Sequence, residues 1–353
     1  MLKKLKLPLV GVFLGLVSLA LVAHGNPGNM GFCIACFLRD TSGALGLHNG
    51  PSYARPEVIG LILGAMIVSL ITKEFSPKGG SAPITRFVLG ACVMVGALVF
   101  LGCPTRMVIR MAGGDLNALV GLPGFVGGIL AGMFFLNKGF TLKRTQKVAK
   151  TDGFALPVIA VLLLLGLLFV PALLSTSETG PGSMHAPLWI ALAIGLVVGG
   201  VGFISRMCFV GGIRDSIMFK NFSMLSAFVA LLVVMIIGNL IMGNFNLGFE
   251  GQPVAHNDGL WNFLGLGLVG FGSVLLGGCP FRQVVLAGSG NTDSVAAVFG
   301  MTFGAALAHN FSLASSSAGV SENGPWGFAI AAVIAVAIAV YNTFFNKKGS
   351  ANA

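Results

Sequence analysis

Cysteine and arginine recur in this sequence in a spacing suited to sulfur chemistry. Cys33-Ile-Ala-Cys36-Phe-Leu-Arg39-Asp40 aligns with Cys208-Phe-Val-Gly-Gly-Ile-Arg214-Asp215 at an offset of 175. Gly102-Cys103-Pro104-Thr-Arg106 aligns with Gly278-Cys279-Pro280-Phe-Arg282 at an offset of 176, and the register continues through Gly114 with Gly290 and Gly124 and Gly128 with Gly300 and Gly304. A thiol is a soft, polarisable group with a weak S–H donor, so it suits a soft sulfur or selenium species. Arginine beside it attracts an anion, and several weak sites in series let that anion leave again.

The elements that hold these residues follow from proline and composition. Proline suits the first helical position, where its missing N–H would be unpaired anyway, so Pro104 and Pro280 predict the starts of two short helices. Cys103 and Cys279 then sit at the positive helix ends, where a thiolate or bound anion is favoured. Arg106 and Arg282 follow three residues later on the same helix face, and Cys33 and Cys36 share a face likewise.

Around these motifs the chain is apolar. Of its 353 residues 55% are hydrophobic and 9% charged, against roughly 25% charged in a soluble domain. Mean hydropathy is +0.92. So few charges cannot coat a globule of this size, which excludes a soluble enzyme, a nucleic-acid binder and a disordered scaffold. The 52 glycines fit close helix packing and broken helices in a bilayer.

The expected fold class is an all-α polytopic membrane protein. Ten spans are expected near 7–23, 58–72, 87–102, 118–136, 154–174, 188–204, 222–242, 260–278, 295–308 and 326–345, with the four motifs as short re-entrant helices between them. Lys3, Lys4, Lys6, Lys73, Lys78, Arg86, Lys138, Lys143, Arg144, Lys147, Lys150, Lys347 and Lys348 all fall on one side in this threading. The loops around 175–187, 243–259 and 310–325 hold no Lys or Arg. By the positive-inside rule both termini are cytoplasmic and the net charge of +10 serves orientation. The first segment also resembles a signal peptide ending near Ala23-His24-Gly25. Retention is expected, because the matching motif of the second half keeps its leading helix.

One odd crossing, span 5, turns the second set of motifs upside down. The expected parts are 1–140, a first repeat half; 141–185, a cytoplasmic linker and the extra span; 186–315, the inverted second half; and 316–353, span 10 and a tail. Inverted repeats with broken helices are a transport plan with the substrate site near the midplane, and non-helical backbone at that depth needs protein or a water-filled path around it. An hourglass results.

Blander readings stand beside this one. Cys92 has no counterpart and reads as a small buried hydrophobe. Arg39–Asp40 and Arg214–Asp215 read either as gating groups or as charge pairs pinning the short helices. Arg55, Arg110 and Lys220 read as interfacial anchors, whereas Arg106 and Arg282, costly inside a membrane, read as functional. Cys33-x-x-Cys36 is a candidate redox couple, but Gly211 replaces its second member in the repeat and no second pair completes a Cys₄ metal site. His24, His48, His185, His256 and His309 are scattered and make no ligand spacing. No metal or cofactor is expected, and no phosphate loop, nucleophile elbow or HExxH supports an enzyme.

The paired strings Met-Gly-Phe-Cys33…Arg39-Asp40 and Gly-Cys103-Pro104-x-Arg106, with their second copies, resemble the YeeE/YedE family of bacterial sulfur-transport membrane proteins. The resemblance runs from about Gly31 to the end of span 9. The strings Gly-Gly-Asp115-Leu-Asn117-Ala-Leu-Val-Gly and Gly-Asn291-Thr-Asp293-Ser are most similar to its YedE selenium-transport branch. It implies an hourglass importer in the bacterial cytoplasmic membrane, with Cys33, Cys103 and Cys279, and Cys208 as the repeat-related fourth, passing the substrate inward by S–H hydrogen bonds. Cys36 departs from the thiosulfate pattern as an added thiol. The resemblance also implies a small cytosolic TusA-like (YedF) carrier as partner. The alternatives are thiosulfate as substrate, a thiol–disulfide electron relay, which predicts a Cys103–Cys279 disulfide, and a passive anion channel.

Overall fold

The computed structural model describes residues 7–345. The readings placed on Lys3, Lys4, Lys6, Lys347 and Lys348 lie outside the described residues. The chain is mostly helical: α1 Leu7–Ala23, α2 Ile34–Ala44, α3 Pro56–Ile71, α4 Pro83–Phe100, α5 Pro104–Ala112, α6 Leu116–Asn137, α7 Lys150–Gly153, α8 Ala155–Phe169, α9 Leu188–Ser205, α10 Phe209–Phe219, α11 Ser223–Met242, α12 Gly259–Leu276, α13 Pro280–Gly288, α14 Thr292–Asn310 and α15 Gly324–Val340. Two-residue strands β1 Lys78–Gly79 and β2 Gln146–Lys147 pair antiparallel, Lys78 opposite Lys147.

Six helical stretches are long and apolar enough to cross a membrane: Pro83–Ala112, Leu116–Asn137, Leu188–Phe219, Ser223–Met242, Gly259–Gly288 and Gly324–Phe345. Three of them run through the break between a long helix and a short cysteine-led one. α1, α3 and α8 are apolar but shorter. α14 has the length of a span, yet Asp293 near its start and His309-Asn310 at its end make it more polar. Each of the ten expected segments is helical here. The fifth ends early, at Phe169, where Pro171 opens a single tight turn.

Burial is inverted relative to a water-soluble globule. Large apolar side chains such as Ile241, Leu162 and Val333 face outward, while Arg39, Asp40, Arg55, Glu57, Arg106, Arg110 and Asp115 are buried. That is the arrangement a hydrocarbon surround requires, with polar groups satisfied inside the bundle.

Four helix pairs form the scaffold: α1 with α11, α3 with α9, α4 with α14 and α6 with α12. Each pair runs parallel and meets through small residues. Along α3 and α9, Gly60 and Gly64 lie on the Leu192 and Leu196 carbonyls while Gly195 and Gly199 lie on those of Glu57 and Leu61. A Cβ at Gly64 would come within 2.0 Å of the Leu196 oxygen, and one at Gly128 within 1.9 Å of the Gly267 oxygen. Without a hydrophobic drive between helices in lipid, such backbone approach supplies the packing energy.

Candidate functional site

The four helices α2, α5, α10 and α13 each begin at a cysteine. Cys33 caps α2 and its Sγ accepts the Cys36 N–H at 3.4 Å; Cys208 caps α10 and accepts the Gly211 N–H at 3.3 Å. Cys103 and Cys279 precede Pro104 and Pro280 at the first positions of α5 and α13, as expected, and make no side-chain cap bond. Their sulfurs are left for other partners. Cys33 Sγ lies 3.7 Å from Cys103 Sγ, and the Cys279 N–H donates to Cys208 Sγ at 3.4 Å. The caps thus gather into two sulfur pairs, one per half of the chain, both buried and composed of free thiols. The sulfur beside Cys103 is that of Cys33.

The two arginines differ. Arg106 is buried and all three of its nitrogens donate: Nε to the Asn29 carbonyl at 2.9 Å, Nη2 to the Val254 carbonyl at 2.9 Å, and Nη1 to the Leu101 carbonyl and, at 3.4 Å, to Cys36 Sγ. In the second half Gly211 stands where Cys36 does. Arg282 correspondingly lacks that partner: its Nη1 is buried without a hydrogen bond, and the side chain lines a cavity of about 530 Å³ together with Lys73, Glu74, Lys78 and Arg206. Gly102 and Gly278 make room for the two arginines, since a Cβ would fall 2.7 Å from Arg106 Cδ or 2.9 Å from Arg282 Cγ.

Asp40 is the centre of a buried ion network. It pairs with Arg39 at 2.6 Å and with Arg55 at 2.7 Å. Arg55 also reaches Asn26 and the Pro181 carbonyl, and Asn26 donates to Glu57 at 2.9 Å. Arg214–Asp215 repeats only the first of these contacts, at 2.9 Å and half-buried. The interfacial-anchor reading of Arg55 and Arg110 is corrected, because both are fully buried and ion-paired, Arg110 to Asp115 at 2.6 Å. Lys220 is exposed at the end of α10, in keeping with an anchor.

The strings that carry the branch resemblance are corners. Asp115 caps α6 while pairing with Arg110, and Asn291 caps α14 while Asp293 accepts from the Ser81 N–H and hydroxyl. Gly114 and Gly290, with φ of +91° and +99°, take the left-handed turn that leads into each cap. Cys92 is buried on α4 beside Val88 and Val95 along an apolar groove, a packing position. Distant histidines are brought together, His48 stacking on His309 at 4.5 Å and His185 on Tyr53 at 3.8 Å. Among the described residues no three His, Cys, Asp or Glu side chains form a metal-holding group.

Arg206, on the cavity wall with Phe203, is the residue that sequence reasoning missed. Arg206 ends α9 with φ of +54° and approaches Glu74 at 3.8 Å. The only signal for it was its place two residues before Cys208.

No curated protein matches the chain. The family model described as sulphur transport matches residues 204–348, a stretch that contains Arg206, Cys208, Cys279 and Arg282. Over residues 204–348 the chain is thus similar to the sulphur-transport family, the family that the motifs resemble.

Proposed function

We propose that the chain imports a small soft anion, a selenium species in first place, across the bacterial cytoplasmic membrane along a path lined by Cys33, Cys36, Cys103, Cys208 and Cys279. The observation that carries this reading is the pairing of four buried thiols at four helix starts, with Arg106 and Arg282 beside them. Each step offers weak S–H donors and positive helix ends without a deep binding site, which favours passage over retention. Cys36, an added soft group on Arg106, favours selenium over its sulfur analogues.

Ten crossings and an inverted repeat form the frame of this proposal. Matching the halves in order sets α1 against α9, α3 against α11, α4 against α12 and α6 against α14. Exchanging them turns the α1–α11 pair into α9–α3 and the α6–α12 pair into α14–α4, both of which occur. The same exchange relates two isolated parallel bridges, Asp115 to Gly248 and Lys78 to Asn291. With α8 as the odd crossing, both termini are cytoplasmic, α2 and α5 dip in from outside, and α10 and α13 rise from the cytoplasm. The halves then meet as an hourglass, and a TusA-like carrier would receive the cargo at the cytoplasmic mouth.

A thiosulfate importer would use the same path. The electron relay has one specific support, the Cys33–Cys103 approach: two thiols there could lose two electrons and two protons to form a disulfide, given a disulfide-bearing acceptor. Uptake of labelled selenite and of thiosulfate into proteoliposomes, each challenged with an excess of the other, separates the readings. Expected is saturable selenium uptake that thiosulfate fails to abolish and that Cys103→Ala or Cys279→Ala removes with expression intact. Thiosulfate uptake alone would move the substrate to sulfur, and uptake of neither would overturn transport.

A further inference from the structure

The cavity at the end where α3 and α9 finish is more than the tail of a thiol path. Its walls bring together Lys73, Lys78, Arg206 and Arg282 against a single carboxylate, Glu74. Two of these cations are anchored next to sulfur: Arg206 two residues before Cys208, and Arg282 in the first turn of the helix that Cys279 starts. Lys73 and Arg206 both take left-handed backbone at the ends of α3 and α9, φ +57° and +54°. A positive φ is rare for side-chain-bearing residues, and here it ends both parallel helices at the same cavity. Arg282 Nη1, buried and without an acceptor, is the donor that awaits a ligand. A buried cationic N–H left unpaired is costly, so an anion there is favoured beyond simple charge attraction.

We infer that this cavity is an anion-binding vestibule, distinct from the sulfur pairs, that takes a small divalent oxoanion between Arg282 and Arg206. Its placement as the cytoplasmic mouth rests on the transport reading above; its anion affinity does not. In that setting Glu74, on Arg206, competes with the bound anion and keeps the hold weak enough for release. Anion accumulated in the cytosol would occupy the same site and slow further import.

Ser76 lines this cavity and is half-exposed, while all six native thiols are buried. In purified Ser76→Cys protein, methanethiosulfonate reagents of negative and positive charge should react at different rates. Referenced to their rates with free cysteine, the anionic reagent should be faster by roughly tenfold. Arg206→Gln in the same background should bring the ratio toward unity. Thiosulfate should slow the reaction more than sodium chloride of equal ionic strength. Equal rates for the two reagents, or thiosulfate no better than chloride, would overturn the site and leave only a diffuse basic surface. Calorimetric titration of thiosulfate into otherwise unaltered protein and into Lys78→Gln/Arg206→Gln protein covers the case of a reporter that fails to fold; equal heats in both would likewise overturn it. Protection without uptake in proteoliposomes would remove the transport reading while keeping the vestibule, and uptake without protection would do the reverse.

Discussion

Apart from Arg282, each buried charge among the described residues is held by a named partner, and the partners differ in how much depends on them. Asp115 accepts from Arg110 with one oxygen and from the Asn117 N–H with the other, so it serves an ion pair and a helix cap at once. Removing one member of a buried pair costs about 3–5 kcal/mol, and a lost cap adds about 1 kcal/mol. Asp115→Ala should therefore lower the unfolding temperature in detergent more than Arg110→Met, and both far more than Arg214→Ala, whose pair is half-buried and of the class worth about 0–1 kcal/mol. A ranking with Arg214→Ala first would refute this account. Cys36 is the residue to vary for selectivity. Cys36→Gly copies the second half, takes a soft partner from Arg106 and leaves the Cys33–Cys103 pair in place. Competition uptake should then show thiosulfate displacing selenite more effectively than in the parent protein. An unchanged competition curve would remove Cys36 from substrate choice.

At the scale of elements, the parallel pairs depend on glycines whose missing side chains are filled by a neighbour's backbone. Gly128 faces the Gly267 carbonyl on α12, whereas Gly127, one residue earlier, faces open space. Gly128→Ala should reduce folded yield and thermal stability. Gly127→Ala should be neutral or gain up to about 1 kcal/mol from helix propensity, and equal losses in the two would refute the packing argument. The helix starts at Pro104 and Pro280 were legible in the sequence because proline's constraint acts within one turn. The Gly114 and Gly290 corners were legible as repeat positions, though not as turns. The surroundings of Arg106 were not, since Asn29 and Val254 reach it from 77 and 148 positions away. Arg55 was misread for the same reason: its acceptor Asp40 and its contact at Pro181 belong to other elements. Periodicity and hydropathy report which residues are buried in lipid or protein. They do not report which carbonyl ends against which guanidinium.

The whole molecule is unequal at its two ends. The connection 243–258 folds back over Arg106: the Val254 carbonyl takes one of its donors, Asn29 bonds Gln252 at 3.3 Å, and Asn117 bonds the Phe249 carbonyl at 2.7 Å. The connection 72–82, beside the other arginine, is shorter and leaves Arg282 open to its cavity. If import runs through both arginines, the longer connection must lift for each passage, and apparent affinity falls by the fraction of time it is closed. Joining Asn29→Cys to Gln252→Cys by mild oxidation should stop uptake, and reduction should restore it; undiminished uptake in the oxidised state would place the path elsewhere. The four parallel pairs limit what else can move. Every one of them takes one helix from each half of the chain and locks it to the other by backbone contact. Neither half is a free body, so a rocking of one against the other would tear all four seams together. Motion in such a clasped frame is confined to what lies between the seams, namely the short cysteine-led helices, the connections at either end and the thiol rotamers. On the import reading, passage is then a matter of small parts turning inside a fixed housing.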